Sequence, residues 1–443
     1  MADNRDELNR RRQARRARQR ALIRRRRMMG RLLVAAMVLL LAVIGILMLK
    51  ELAGPGSPAP TEDPTLQTQT TLPPEPSETT ATQAQTPEEN PSTVIHVAAA
   101  GDLTVTDSTV GAGRTETGYD YTHVFMDVAP VLSEADLALL NFEGNLLGAP
   151  YGTESTSAPE ELPLALKAAG VDLVQMANST AITDGMAGLK KSLAGLRQTG
   201  LEPLGAYADS QEFQKYKGYT VVNVQGIRIA LVAFTKGMNS LSLPAGSENC
   251  INLLYTDYAT TYQTIDKAGI NAVLASVEKE EPDLTIALVH WGSEYKDMVT
   301  KSQENIAKLL QEGGVDVVLG THPHMLHEIE YDDVTGRMVA YSLGDFFGDA
   351  QRAGTDYSII LDLEITRDGV SGETRVTDFS YTPIYTLTEE TSPSGHRQVV
   401  RLDRAVEAYE NNFVDRVSQE VYEDMVYALG RIQDRTNPQK ESE

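Results

Sequence analysis

Three of the seven histidines in this 443-residue chain stand at the ends of just two apolar runs. His290 closes Leu284–His290, and His322-Pro323-His324 follows Val315–Gly320. Other run ends carry oxygen donors. Asp102 follows Val94–Ala100 and Gly101, Asn141 and Glu143 end Asp136–Glu143, and Asn178 ends Val171–Asn178. Carboxylate, amide and imidazole together suit zinc, iron or manganese. Alternate residues of an extended segment face one side, so His322 and His324 can serve one site, with Pro323 stiffening the turn between them. Singly, each residue has a plainer role. Asp102 or Asn178 would cap a helix, Glu143 would pair with a surface lysine, and His290 beside Trp291 would be a hydrogen-bonded core residue. Gathered at successive run ends, they point to a centre for one or two divalent ions. Two ions about 3.5–4 Å apart can clamp a phosphoryl group and activate water.

Other chemistries lack their residues. There is no GxxxxGK[ST], no GxGxxG and no Ser-centred GxSxG. Cys250 is the only cysteine, in a Gly/Ser/Asn-rich stretch without an evident base, so disulfide frameworks and cysteine-based zinc clusters are excluded. A net charge of −23 argues against nucleic acid as a partner.

The run ends must be delivered by strands. The five runs are short, apolar and bounded by turn residues, as buried strands are. Helical spacing lies between them, at 162–169, 188–198, 258–277 and 302–311. Tyr219–Phe234 reads as a hairpin turning at Gln225-Gly226, and Ile329–Phe346 as another turning near 333–336. Residues 357–385 read as strand with a turn near Asp368-Gly369, and 402–436 as a charged helical tail. The fold class expected is α/β in layers, with mixed sheets flanked by helices. Open α/β sheets place ligands at the carboxyl ends of their strands, where these polar residues fall.

The N-terminal part differs. Residues 1–50 hold 14 basic residues against 3 acidic ones, which leaves 25 basic and 59 acidic in 51–443, a charge of −34. Residues 1–31 form a basic head. Leu32–Leu49 is 18 residues without charge, enough for roughly 27 Å of helix against a hydrocarbon core of about 30 Å. It reads as an uncleaved single-pass anchor, because a signal peptide has a shorter apolar core and a small-x-small cleavage site. The basic flank sets the N-terminus in the cytoplasm and the remainder outside. Residues 50–93 are a disordered linker: between Gly54 and Thr93 there are nine Pro, ten Thr and no aromatic residue. The globular domain is expected over 94–388, with a helical tail over 389–443.

Six blocks within 94–384 resemble the CapA-type poly-γ-glutamate capsule biosynthesis proteins, of the calcineurin-like metallophosphoesterase superfamily. They are AAAGDLTVTDS at 98–108, LALLNFEGNL at 137–146, ANSTAITDGMAGL at 177–189, LVHWGSEY at 288–295, VDVVLGTHPHMLHEIE at 315–330 and YSLGDFFGD at 341–349. The resemblance implies a metallophosphoesterase-like fold. It implies that Asp102, Glu143, Asn178, His290, His322 and His324 are metal ligands and that Glu294 and Trp291 shape the pocket, with Asp345 at its rim. His290, His324, Glu294 and Thr180 occupy the positions expected to serve catalysis. Two blocks depart from the family pattern. Asn178-Ser179-Thr180 stands where Asn-Asn-His is usual, and Thr180 cannot act as an acid near neutral pH. Gly344-Asp345-Phe346 stands where Gly-Asn-Phe is usual.

The function implied is a membrane-anchored extracellular protein of capsule or envelope polymer synthesis with a metal-dependent hydrolase site. Its substrate would be a phosphoester or an anionic polymer, and its partner a polymer synthase or export complex in the membrane. The alternative is a non-catalytic metal-binding or structural component of such a complex. An anionic polymer would be repelled by a part at −34 unless the cleft is locally positive. Lys190, Lys191, Arg197, Lys236, Lys296 and Arg352 are the cations able to make it so.

Overall fold

The computed structural model describes residues 91–411 and 417–436. The basic head, Leu32–Leu49 and the linker as far as residue 90 lie outside the described residues. Among the described residues, no helix is long and apolar enough to cross a membrane.

The apolar runs become strands, several of which extend past their hydrophobic residues. β1 (Thr93–Thr104) continues beyond Ala100 to carry Asp102, and β2 (Leu137–Glu143) and β3 (Leu173–Gln175) lie beside it. β4 (Glu202–Leu204), β12 (Tyr357–Arg367), β13 (Thr374–Leu387) and β14 (Gln398–Arg401) complete the path of one sheet, in the order β14-β13-β12-β1-β2-β3-β4. β11 (Asp345–Phe347) also joins β1. The second sheet holds β5 (Tyr219–Val224), β6 (Ile227–Thr235), β7 (Leu284–His290), β8 (Val317–Thr321), β9 (Ile329–Asp332) and β10 (Arg337–Ala340), in the order β5-β6-β7-β8-β10-β9. Both sheets are mixed. β1, β2, β3 and β4 run parallel, as do β6, β7, β8 and β10. Their carboxyl ends carry the polar residues singled out in the sequence.

The period of two in β6 shows how the layers form. Ile229, Leu231 and Ala233 enter a core shared with Ile286 and Leu288 of β7, Leu319 of β8 and Val97 and Ala99 of β1. The intervening Ala230, Val232 and Phe234 pack with Ala287, Val289 and Val318 beneath the helices Lys267–Glu278 and Lys301–Glu312. Both faces are covered, which is why these strands read as continuous apolar runs rather than alternating ones. Each fully buried Ile or Leu contributes roughly 1.5–3 kcal/mol. The first sheet is covered by the helices Glu161–Ala168 and Gly185–Gln198, whose Leu162, Leu166, Leu189, Leu193 and Leu196 are buried.

Two expectations change. The helix read over 258–277 forms only from Lys267. Before it, Asp257 gathers the N–H groups of Gln263 and Thr264 and the hydroxyl of Thr261, and Asp266 caps the helix through Gly269 N at 2.9 Å. Side-chain acceptors of this kind compete with helix formation. The tail is helical over Leu402–Glu410 and Gln419–Thr436, but it is preceded by β14, a strand within the stretch expected to be helical. The last helix buries Val421, Met425, Ala428 and Ile432 at three- and four-residue spacing in the main core, so it is part of the domain.

Candidate metal centre

The parallel registers bring the polar strand ends together. Asp102 pairs with Asn141 of β2 on one side and with Asp345 of β11 on the other. In the second sheet, His290 ends β7 opposite Thr321, the last residue of β8. The chain then turns through His322 (φ 91°), Pro323 and His324 (φ 59°). Left-handed backbone at two histidines costs on the order of 1–3 kcal/mol each and persists where surrounding contacts impose it. Here the contact is Asp102, whose Oδ2 accepts the backbone N–H of His322 at 2.9 Å.

The position of Asp102 also explains Gly101. A Cβ there would lie 1.8 Å from the carbonyl oxygen of Gly344, which accepts the N–H of Asp102 at 2.9 Å. The Gly-Asp pair is thus a close crossing of β1 by the 341–347 segment. It does not cap a helix.

Two buried trios of donors result. Glu143, His290 and His322 each offer an atom within 4.8 Å of the others, and so do Asp102, His324 and Asp345. Asn141 holds the Asp102 carboxylate, donating from Nδ2 to Oδ1 at 2.6 Å. Nε2 of His290 lies 2.8 Å from Ser179 Oγ and 3.5 Å from Glu143 Oε1, and its Nδ1 lies 3.2 Å from Thr321 Oγ1. His324 Nδ1 is 2.7 Å from Asp345 Oδ1. Glu143 Oε2 and His322 Nδ1 are buried without a hydrogen-bond partner. Orphaned buried acceptors cost free energy unless a ligand uses them. A divalent cation fits the Glu143 oxygen and the donor types of both trios, whereas His322 Nδ1 would first have to give up the proton that the Lys236 ammonium at Nε2 leaves on it.

Electrostatics follow from burial and crowding. Burial pushes Glu143 up, but His290 and His324 outweigh it and hold the carboxyl down to about 2. Burial raises Asp345 to about 6 and also raises Asp102. Burial presses His324 down, yet Asp345, Asp102 and Glu143 keep it well above an ordinary histidine. His322 is held well below by burial, with His290 and Lys236 adding to it. In the metal-free fold His324 and Asp345 share a proton across their 2.7 Å contact, and a bound cation would take that proton's place.

Five of the six expected ligands fall in the two trios. Asn178 lies at the same strand end with its amide engaged. Its Oδ1 accepts both the N–H and the hydroxyl of Thr180 at 3.1 Å, and its Nδ2 donates to Phe142 O at 2.7 Å and Asn141 Oδ1 at 3.1 Å. Thr180 is buried and occupied by that bond. Glu294 is exposed, on the loop after Trp291. Trp291 is fully buried and donates to Tyr341 O at 2.9 Å, so it supports the wall from behind. Asp345 corrects an expectation. It is not at a rim but 5% exposed and bonded to His324, because the register of β11 sets it beside Asp102.

Lys236, among the cations named in the sequence, touches a donor of the centre directly. Its N–H bonds the carbonyl of His290 at 2.8 Å, and its Nζ lies 2.9 Å from Gly292 O and 3.0 Å from His322 Nε2. Asn141, singled out in the sequence as a strand-end oxygen donor, orients Asp102 instead, and Ser179 and Thr321, which contact His290, were visible only as neighbours of the expected ligands.

The model of the family described as "Bacterial capsule synthesis protein PGA_cap" matches residues 96–350, more than half of the chain. The chain belongs to that family. Within it, the chain is 26% identical over 260 residues to the capsule biosynthesis protein CapA of Bacillus anthracis, a match covering 57% of this chain and 60% of that protein. It is 27% identical over 273 residues to the PGA biosynthesis protein CapA of Bacillus subtilis strain 168, covering 59% and 64% respectively. The chain thus spans less than two thirds of the length of these relatives. A crystal structure of a phosphatase from Mycoplasma pneumoniae aligns at a TM-score of 0.40 and 14% identity, over 66% of this chain and 94% of that one, a likeness too distant to speak to chemistry. The match over 96–350 contains every residue of the two donor trios in this PGA_cap domain.

Proposed function

We propose that this PGA_cap protein is a membrane-tethered, outward-facing member of an envelope-polymer synthesis machine, with a divalent-metal centre that hydrolyses an ester or amide on an anionic chain. The observation that carries the reading is the pair of buried trios, Glu143/His290/His322 and Asp102/His324/Asp345, the first of which holds the unpartnered carboxylate oxygen Glu143 Oε2. Bound divalent ions would supply Lewis-acid polarisation of the substrate and activation of water. The chain's own residues do the rest. Asn141 and the N–H of His322 fix the Asp102 carboxylate, and Asp345 orients His324 and holds its proton. Lys236 adds a positive charge beside His322, favouring an anionic substrate group. The anchor at Leu32–Leu49 and the Pro/Thr-rich linker support tethering at a distance from the membrane, and the relatives' names support a polyglutamate-type polymer.

A second reading is a non-catalytic assembly component. It is favoured by Thr180, whose hydroxyl is spent on Asn178 where an acid would be needed to protonate a leaving group.

The test is metal content of the full-length protein, purified from membranes, by elemental analysis, with Asp102→Ala and His322→Ala alongside. Near-stoichiometric zinc, iron or manganese is expected, lowered in each variant as the trio that loses its ligand empties. No metal in the wild type after reloading would remove the hydrolase reading. Turnover of phosphoesters by the loaded protein, raised by Thr180→His, separates the enzyme from the assembly component.

A further inference from the structure

The loop after Asp345 sets a second cation beside the centre. Its backbone is fastened at both ends. Arg397, itself buried, donates from Nη1 to the carbonyls of Gly348 at 3.1 Å and Asp349 at 2.8 Å. Thr106 donates its hydroxyl to Asp349. Further on, Thr355 closes a turn on the carbonyl of Arg352 with its N–H at 3.0 Å and its hydroxyl at 2.9 Å.

The side chain of Arg352 is exposed and lies over Tyr295, with the guanidinium carbon 3.8 Å from the ring centre. Tyr295 stacks in turn on His324, at 5.3 Å between centroids and 23° between planes. The N–H of Tyr295 donates to Pro323 O at 2.9 Å, which ties this loop to the ligand loop. Tyr295 (φ 58°) and Ala350 (φ 52°) both adopt left-handed backbone to reach these positions. Among the described residues, no carboxylate lies within ion-pair distance of Arg352. The other arginines near this face, Arg431 and Arg435, are both committed to Asp297. In a part of the chain at −34, a guanidinium held on an aromatic ring and left without a carboxylate is available for an incoming anion. A stacked guanidinium is also pre-organised to present its planar fork to an oxyanion.

We propose that Arg352, seated on Tyr295, is a specificity-determining binding residue for a second oxyanion of the substrate, next to the group that reaches the metal donors. The substrate class is a chain whose carboxylates or phosphates repeat, and the proposal rests on the reading of the centre given above. A single phosphate would engage the centre and Lys236 alone. A chain would engage Arg352 as well.

The test uses the metal-saturated full chain in detergent, titrated calorimetrically with inorganic phosphate, a γ-linked glutamate tetramer and a glycerol phosphate tetramer. The wild type is expected to bind one tetramer more tightly than phosphate. Arg352→Gln should weaken that tetramer about 10-fold, as loss of one charged hydrogen-bonding partner does, and change phosphate binding by less than about 2-fold. Metal content and melting temperature should stay at wild-type values. Arg352→Lys should recover part of the loss, since it keeps the charge and loses the fork. Which tetramer responds identifies carboxylate or phosphate as the repeating group. The proposal is overturned if Arg352→Gln leaves both tetramers unchanged, if phosphate weakens equally, or if the wild type binds phosphate but neither tetramer. A wild type that holds no metal and binds no phosphate is a distinct result: it defeats the reading of the centre, and this proposal with it.

Discussion

Asp345 shows how much one side chain decides here. Its carboxyl is buried, lies 2.7 Å from His324 and belongs to one donor trio. Asp345→Asn should therefore lower affinity at that trio on the order of 100-fold while leaving the Glu143 trio loaded, so elemental analysis should find about half the wild-type metal. An unchanged metal content would remove Asp345 from the ligand set. The same residues predict a pH dependence. In the metal-free fold, His324 is raised, so its stabilising contribution is complete below its ordinary value near 6.5 and is lost as pH rises through its higher folded value. Asp345 is raised from 3.8 to about 6, so the cost of ionising it in the fold appears between those values and is complete above them. Both effects weaken the metal-free fold as pH rises. Metal binding needs both groups deprotonated and strengthens over the same range. The melting temperature gained on metal loading should thus increase from pH 6 to pH 8, measured against chelator-treated protein. An increment that is flat with pH would refute the proton displacement.

At the scale of elements, the critical feature is the crossing of β1 by the segment that becomes β11. Gly101→Ala would place a methyl 1.8 Å from Gly344 O and must push the two segments apart. A cost of about 3 kcal/mol is expected, at the upper end for overpacking, together with loss of metal from the Asp102 trio, since Asp102 and Asp345 face each other across that crossing. Urea unfolding and metal analysis would check the two effects separately. By contrast, Thr300→Ala removes the N-cap of Lys301–Glu312, where Thr300 Oγ1 accepts Gln303 N at 3.3 Å. It should cost about 1 kcal/mol and leave metal content unchanged, because that helix packs on the outer face. Comparable losses in the two variants would mean that the crossing is no more constrained than an ordinary cap.

For the whole molecule, the governing quantity is the charge of −34 over residues 51–443. Long-range repulsion should slow the approach of any polyanion, and salt should screen it. The association rate of the tetramer that binds is therefore expected to rise between about 10 and 150 mM ionic strength, the reverse of a steered encounter. A rate that falls with salt in stopped flow would mean that Lys236, Arg352 and the bound cations dominate the field at the cleft.

Much of this protein was legible in its amino-acid order. Apolar runs of strand length, turn residues and helical spacing determine the layered α/β class, because the central parallel strands are buried on both faces and their runs are therefore unbroken. The polar residues closing those runs determine five of the six donors in the trios, since side chains at parallel strand ends have few other places to go. The sixth donor, Asp345, was decided only by the register of β11 on β1, a pairing across more than 240 residues that local pattern cannot encode. The same holds for Lys236, Ser179 and the Tyr295–Arg352 stack, whose partners come from distant segments and from left-handed turns at His322, His324 and Tyr295. Asn178 and Thr180 show the reverse case: they stand at positions expected to serve metal binding and catalysis, yet in the fold they bind each other. Short-range sequence specifies elements and the chemistry at their ends. Which of those groups meet is set by long-range strand pairing, which alone fixes distance and solvent exclusion.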